Sequence, residues 1–382
     1  MPMTVLFWLS AAALVYSLCG YGLILLALSR LRPARARPAL SPPPTKVSFV
    51  VAAYNEAPVI ADKVHNTLAL NTGGAEVEMI VVSDGSDDGT ADIVRAIGDP
   101  RVTVLEPGRV GKAQALARGI ERCTGEIVVF SDANAILEQN SLVAMLRHYA
   151  DPAVGGVCGQ ITVGGKSGGI GFAESLFWRY DQQLKHAESR LGGAVSAQGS
   201  VYSLRRALVR PPAAGCTDDF VISVGAVAQG YRLVFEPEAS TVETVTEHVG
   251  NEMRRRIRSS ERGWRSLLHN ASLMNPRRHG WYAWQLISHK LVRRLNPLFL
   301  ILLFLSNMVL MKHGGFYLIL GMCQIAFYGV AVAGLVWPRL RRSKLVALPA
   351  FFTFAHLALL IGIVRCLVGQ ESVLWTPSRD AG

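Results

Sequence analysis

Four apolar stretches constrain this chain more than anything else in it, because they confine its polar residues to one region between them. Met3 to Leu28 carries no charge and is mostly Leu, Ala, Val and aromatic residues. At 1.5 Å per residue such a helix is long enough to cross a hydrocarbon core of about 30 Å. Its start is not basic, which favours a retained anchor over a cleaved signal peptide. Leu295 to Met311, Phe316 to Trp337 and Leu345 to Val368 close the chain, the last two long enough to span and the first short. The expected layout is an N-terminal anchor at 1–29, a basic, Pro-rich linker at 30–46 that lifts a folded region off the membrane, about three transmembrane helices at 295–368 and a tail at 369–382.

Charge supplies the orientation. The net charge is +11, and its clusters flank the apolar stretches: Arg30, Arg32, Arg35, Arg37 and Lys46 after the first, Arg293 and Arg294 before the second, Arg339, Arg341, Arg342 and Lys344 between the third and fourth. By the positive-inside rule these clusters and the region 46–294 are cytosolic, in a multi-pass protein of the inner (cytoplasmic) membrane. Anionic membrane lipids are the partners such clusters imply. No nucleic acid is needed to explain them, and no zinc-finger, RNA-binding or basic-zipper pattern is present. The six cysteines have no metal-like spacing and read as free thiols used as small hydrophobes.

In the central region, strands are expected at Val47–Ala53, Val77–Val82, Val102–Leu105 and Glu126–Phe130, with helices from Ala57 to Leu70, from near Gly89, and from Lys112 to Arg122. Each strand is a nearly continuous apolar run, the mark of a mostly parallel sheet covered on both faces. This is an α/β fold of Rossmann-like type. The strands end in Tyr54-Asn55-Glu56, Ser83-Asp84-Gly85-Ser86-Asp87-Asp88-Gly89-Thr90 and Ser131-Asp132-Ala133-Asn134. In open α/β sheets, ligands bind at those ends. Ser131–Asn134 is either an Asx-type turn or a carboxylate and an amide offered to a hard cation. Asp88 is a helix cap by position, whereas Asp84 sits directly at a strand end and can accept from a base edge or ribose hydroxyl. Lys112 opens a helix, where a cation opposes the macrodipole unless an anion such as phosphate offsets it.

Together with Ala53, Gly111-Lys112 and the later Thr217-Asp218-Asp219-Phe220, these motifs in this order resemble the family-two glycosyltransferases, inverting enzymes of the GT-A fold, and in particular their membrane-bound polysaccharide synthases. The resemblance implies donor binding by Ala53, Tyr54, Glu56, Asp84, Lys112, Asp132 and Asn134, in a nucleotide-sugar half at 47–150. It also implies a divalent cation, Mg²⁺ or Mn²⁺, at Asp132 and Asn134. Asn134 stands where a second acid is usual, so the ion would have less charge to hold it.

The acceptor half is expected at 151–249. Gly155 to Gly171 reads as a mobile connection, followed by a helix whose Trp178, Tyr180, Asp181 and Glu188 can meet a sugar, with His186 solvated. The resemblance places Gln198 and Gly199 beside the acceptor and the general base at Asp219, with Asp218 as the fallback. Adjacent acids at a helix start are also common as a cap plus a dipole-favoured charge. The segment 250–294 holds a basic helix, with Arg255, Arg258, Arg262 and Arg265 on one face, and an interfacial helix carrying Trp281, Tyr282, Trp284 and His289. The basic face is either solvated or headgroup-facing, or, by the resemblance, a diphosphate clamp made by Arg255 and Arg258. The family's Gln-x-x-Arg-Trp has lost its Gln and Trp here, to Arg255 and Ser259.

The resemblance thus implies a hexosyltransferase-type enzyme, moving sugar from a nucleoside diphosphate, with UDP the expected nucleotide, to a membrane-associated or growing glycan acceptor. Two rival readings remain: a polyprenyl-phosphate transferase making a lipid-linked sugar, and a non-catalytic nucleotide-sugar sensor working with an export partner protein in a secretion complex.

Overall fold

In the computed structural model, residues 2–32, 44–164, 169–244 and 249–370 are described, with their side chains except those at 163–178 and 243–252. Strands β1 (Lys46–Ala53), β2 (Glu76–Ser83), β3 (Val102–Leu105) and β4 (Ile127–Ser131) run parallel in the order 3-2-1-4. Helices α3 (Ala57–Leu68), α4 (Thr90–Ile97) and α5 (Lys112–Arg122) provide the crossovers; α1 and α2 belong to the anchor described below. Side chains alternate between two cores. Val50, Ala52, Ile80, Val82 and Phe130 join α5 on one face, while Phe49, Val51, Met79, Val81 and Val129 join α3 and α4 on the other. A strand buried on both faces has no polar alternation to keep, which is why these segments read as unbroken apolar runs. The order reverses between β1 and β4, opening a crevice at their C-terminal ends.

The sheet continues beyond β4. β5 (Ile136–Leu137), α6 (Ser141–Leu146), β6 (Val154–Gly164), α7 (Gly169–Leu191), β7 (Val201–Arg205), α8 (Asp218–Ala228) and β8 (Arg232–Thr244) follow in chain order, and the full strand order is 3-2-1-4-7-6-8-5. β7 is antiparallel to β4, and Phe130 stacks on Tyr202 across that pair at 4.9 Å between ring centroids. Truncating such a buried ring costs about 3–5 kcal/mol.

The Gly-rich stretch is not the mobile connection expected from its composition. Its first part is β6, eleven residues long and wedged between β7 and β8. A Cβ at Gly155 would lie 2.5 Å from Tyr231 Cβ, and one at Gly159 would lie 2.4 Å from Ala239 O. Close backbone approach, rather than freedom to move, accounts for those glycines. Residues 165–168 of the stretch lie outside the described residues, and its last three open α7.

Four helical stretches among the described residues, Pro2–Arg30, Pro276–His313, Gly315–Val336 and Lys344–Leu367, are long and apolar enough to cross a membrane. The first is α1 (Pro2–Val15) and α2 (Tyr21–Arg30) joined by a π-helical turn. The basic helix is α9 (Val249–His269). After it, α10 (Pro276–Leu286) runs through a second π-helical turn, Ile287–Val292, into α11 (Arg293–Leu310), followed by α12 (Gly315–Val336) and α13 (Lys344–Leu367). The short apolar block and the expected interfacial helix are therefore one continuous element.

Two expectations about the membrane side need correction. The segment from Trp281 to Arg294 is only in part a surface belt: Trp281 is exposed, but Tyr282 and His289 are buried and the Tyr282 hydroxyl donates to Val195 O at 2.8 Å. Nor is the folded region held away from the anchor, although most of the linker lies outside the described residues. Tyr21 is buried and donates to Glu188 Oε1 at 2.6 Å, and Tyr180 donates to Leu18 O at 3.2 Å. Such residues look interfacial in one dimension, but here the polar tips of Tyr21, Tyr180, Tyr282 and His289 find partners inside the protein.

Candidate active site

Two loops at the ends of β1 and β2 are stitched together. Asn55 is the one non-glycine residue with positive φ (52°) among the described residues, a conformation that asparagine tolerates better than most. Its amide donates to Asp87 Oδ1 at 2.8 Å and accepts from Asp87 N at 3.1 Å, while Asn55 N donates to Ser86 Oγ at 3.1 Å. Asp88 caps both adjoining helices, accepting from Thr90 N at 3.0 Å and Ala57 N at 2.9 Å. It thus takes the first backbone N–H of each helix from outside their N-cap positions, which are Gly89 for α4 and Glu56 for α3. Glu56 is buried, and its backbone N–H donates to Thr90 Oγ1 at 2.9 Å. Ala53 is buried at the strand end, its carbonyl accepting from Asp84 N at 2.8 Å.

Asp84 is fully buried and holds the loop that leads into α5. Its Oδ1 accepts from Val110 N at 2.7 Å and Gly111 N at 2.8 Å, and its Oδ2 from Arg109 at 2.5 Å. The Arg109 guanidinium in turn lies 3.4 Å over the Tyr54 ring. Arg109 is a residue that sequence reasoning missed. Its only signal was a guanidinium between two glycines at the end of a strand.

Lys112 bridges the two halves of the crevice. Its ammonium lies 2.8 Å from Asp132 Oδ1 and 3.1 Å from Asp218 Oδ2. Burial alone would lower its pKa, but Asp132 and Asp218 outweigh burial and hold it charged. The anion that offsets its place at a helix start is thus supplied by the protein itself. Behind the Ser131–Asn134 loop, buried Lys63 donates to Ser131 Oγ at 2.7 Å and Ala135 O at 2.6 Å. Burial pushes this ammonium down to about 7, with Asp132 pulling the other way. Ser131 Oγ passes the contact on to Ser200 O at 2.7 Å. That bond holds Gly199 against the aspartate, so closely that a Cβ there would lie 3.1 Å from Asp132 Oδ2. Lys63 was also missed, because a lysine within an amphipathic helix reads as solvated.

Asp218 and Asp219 open α8 and are half-buried. Asp219 Oδ1 accepts from Phe220 N at 2.8 Å. Burial and the neighbouring Asp218 raise its carboxyl to about 6, against the pull of Lys112, the Phe220 N–H and Lys290. A carboxylate poised there can accept a proton near neutral pH. On α9, burial and Arg255 lower the pKa of half-buried Arg258. It is Arg262, one turn further along, whose charge is felt by Asp218.

The residues expected beside the acceptor lie along α7 and next to Asp132. Gln198 donates to Asp181 Oδ2 at 3.3 Å, so it sits beside α7. Asp181 and Glu188, expected to meet sugar, are instead joined through His289, at 3.2 Å to Asp181 Oδ1 and 2.7 Å to Glu188 Oε1. Tyr180 packs on the anchor. His186 is exposed, as expected, and the Trp178 side chain lies outside the described residues.

Residues 48–210 match the family described as Glycosyl transferase family 2. The chain is 29% identical over 246 residues to poly-beta-1,6-N-acetyl-D-glucosamine synthase of Staphylococcus aureus (strain COL), a match covering 62% of this chain and 59% of that one. For the synthase of that name from Staphylococcus epidermidis (strain ATCC 35984 and its synonyms) the identity is 27% over 231 residues, 58% of this chain and 55% of the other. The chain thus spans somewhat under two thirds of the length of the curated relatives it matches. Among solved structures, mannosyltransferase PcManGT from Pyrobaculum calidifontis, in complex with GDP-Man and Mn²⁺, superposes with a TM-score of 0.71 over 96% of this chain and all of the other, at 22% identity. That likeness concerns the fold. With the motif-bearing strand ends of the central sheet gathered into one crevice, the chain has the GT-A fold, and its residues 48–210 are similar to the family-two glycosyltransferases.

Proposed function

We propose that this protein is a membrane-bound, inverting transferase that moves a hexosyl group from a UDP-sugar to a glycan acceptor in polysaccharide or cell-envelope glycan synthesis. The observation that carries the reading is the placement of Asp219, half-buried and raised to about 6, beside an Asp218–Lys112–Asp132 bridge that reaches the donor crevice. Tyr54 and Glu56 lie on the nucleoside side, and Asp84, itself buried, acts through Arg109, which it holds stacked on Tyr54 as part of that wall. Lys112, Arg258 and Arg262 supply positive charge on the diphosphate side.

The donor set at the strand end suits a divalent cation. Asp132 Oδ2 faces the unsubstituted Gly199, and Asn134 adds an amide oxygen of the kind hard cations accept. Among the described residues no cluster of three acidic, His or Cys side chains is present, so diphosphate oxygens and water would complete the shell. When bound, such an ion stabilises charge on the departing diphosphate. In the transfer itself, Asp219 takes the acceptor hydroxyl proton as that oxygen bonds to the anomeric carbon. The bond to the diphosphate breaks with its electron pair on the nucleoside diphosphate, so one displacement inverts the centre.

The relatives named as polysaccharide synthases support a glycan product, and the basic clusters support a cytosolic catalytic region on an inner membrane. The test is UDP release by the full-length protein with Mn²⁺ or Mg²⁺ across UDP-sugars and acceptors. No release from any UDP-sugar, or undiminished release by Asp219→Asn, would overturn the reading.

A further inference from the structure

A cavity of about 880 Å³ lies between α9, the second π-helical turn, α11 and α13, and its two sides differ in chemistry. Lys290, Arg294 and Asn296 line one side, and Leu345, Leu348, Phe351 and Phe352 of α13 line the other. Asp181 and His289 also reach it, but they pair with each other at 3.2 Å, and Arg293 pairs with Asp181 at 3.5 Å. Arg256 and Lys344 also line it, Arg256 lying 5.1 Å over the Phe351 ring, and both have partners of their own, which leaves Lys290 and Arg294. Among the described residues Lys290 forms no hydrogen bond or ion pair through its side chain, and Arg294 donates to Lys290 O at 3.2 Å but meets no carboxylate within ion-pair distance. Asn296, only 1% exposed, keeps an Oδ1 with no partner.

Unpaired charge beside a membrane interior is expensive, and a bound anion is the direct way to offset it. The apolar wall requires the same ligand to carry hydrocarbon. Lys290 and Arg294 are also among the charges that act on the Asp219 carboxyl. The cavity's volume is that of a site for a head group and the first part of a chain.

We infer that this cavity is the acceptor site and takes a phosphate-linked glycolipid, its phosphate between Lys290 and Arg294, its hydrocarbon along Phe351 and Phe352, and its sugar hydroxyl turned to Asp219. The inference rests on Asp219 acting as a base. A phosphate oxygen is already ionised at neutral pH and needs no base, so a sugar hydroxyl is the attacking group. That hydroxyl loses its proton to Asp219 and bonds to the donor's anomeric carbon. The nucleoside diphosphate leaves with the electron pair, and the lipid phosphate is unchanged.

The experiment uses full-length protein in phosphatidylcholine nanodiscs. The probe is a fifteen-carbon prenyl diphosphate bearing one N-acetylhexosamine and a photoreactive group on the prenyl chain. Labelling of the α13 peptide is expected, together with at least tenfold weaker labelling in Lys290→Gln/Arg294→Gln and unchanged labelling in Arg341→Gln, whose cation lies outside the cavity. Labelling elsewhere, equal labelling of the double variant, or equal competition by inorganic pyrophosphate or a neutral soluble oligosaccharide would overturn the inference. Should the double variant not fold, the site of labelling in the unmodified protein decides. Slow UDP release to water, measured without acceptor, separates the two readings: its absence from every UDP-sugar counts against the transferase, whereas its presence with α13 unlabelled counts against the glycolipid site alone.

Discussion

In the donor crevice, Lys112 bridges Asp132 and Asp218 while Asp219 stays half-buried beside them; behind α7, Glu188 receives Tyr21 and His289, and His289 passes on to Asp181. Both clusters mix carboxylates with donors, but they spend their bonding capacity differently. Glu188 accepts on both oxygens, from Tyr21, His289 and, at 3.4 Å, Val195 N. Asp219 accepts one bond, from the adjacent backbone, and lies next to another acid that raises its carboxyl to about 6. Saturated charge joins elements, whereas charge with spare capacity is available for chemistry.

The largest test of that contrast is Asp219→Asn. Removing a general base costs about 10²–10⁴-fold in turnover, with donor binding kept, as measured by UDP release and by titration with a UDP-sugar. In the unmodified enzyme, kcat/KM should fall as pH drops through about 6, tenfold per unit well below it, because protonated Asp219 accepts no proton. A flat profile from pH 5 to 8 would place the base elsewhere. Glu188→Ala probes the other cluster. It strands Tyr21 and His289 in the interior, a loss of about 3–5 kcal/mol by analogy with broken buried pairs, read as a lower Tm in detergent. If Tm holds and only turnover falls, the contrast between the clusters is wrong.

Asp84→Asn is a smaller change. It keeps the shape but replaces one acceptor oxygen of a carboxylate that holds Val110 N, Gly111 N and Arg109, at about 1–3 kcal/mol for the group left unsatisfied. The expected readout is a raised KM for the donor with kcat less affected. Smallest is Asn134→Asp, which adds a carboxylate to the proposed cation site and should lower the metal concentration for half-maximal activity by a few fold. No change would mean that Asn134 does not touch the ion.

Much of the donor half was legible in the chain because each of its elements is local. Ser83-Asp84 and Ser131-Asp132 lie at strand ends wherever a buried apolar run stops. The region after residue 150 was less legible. Glycines at 155, 156 and 159 mean flexibility in a loop and close packing in a strand, and only the neighbours Tyr231, Leu233 and Ala239 distinguish the two. Likewise Tyr282 and His289 resemble membrane-interface residues until α7 supplies Glu188 and Asp181.

The sequence by itself determined what depends on periodicity and length: an N-terminal and two C-terminal helices able to span a membrane, four parallel strands with two buried faces, and carboxylates at their ends. The tertiary structure decided what depends on pairing across the chain. It matched Lys112 with Asp218 and Tyr21 with Glu188, and it left Lys290 and Arg294 facing a cavity. The reason is physical: hydrophobic burial leaves a periodic trace in one dimension, whereas the partner that satisfies a charge can lie more than a hundred residues away and leaves none.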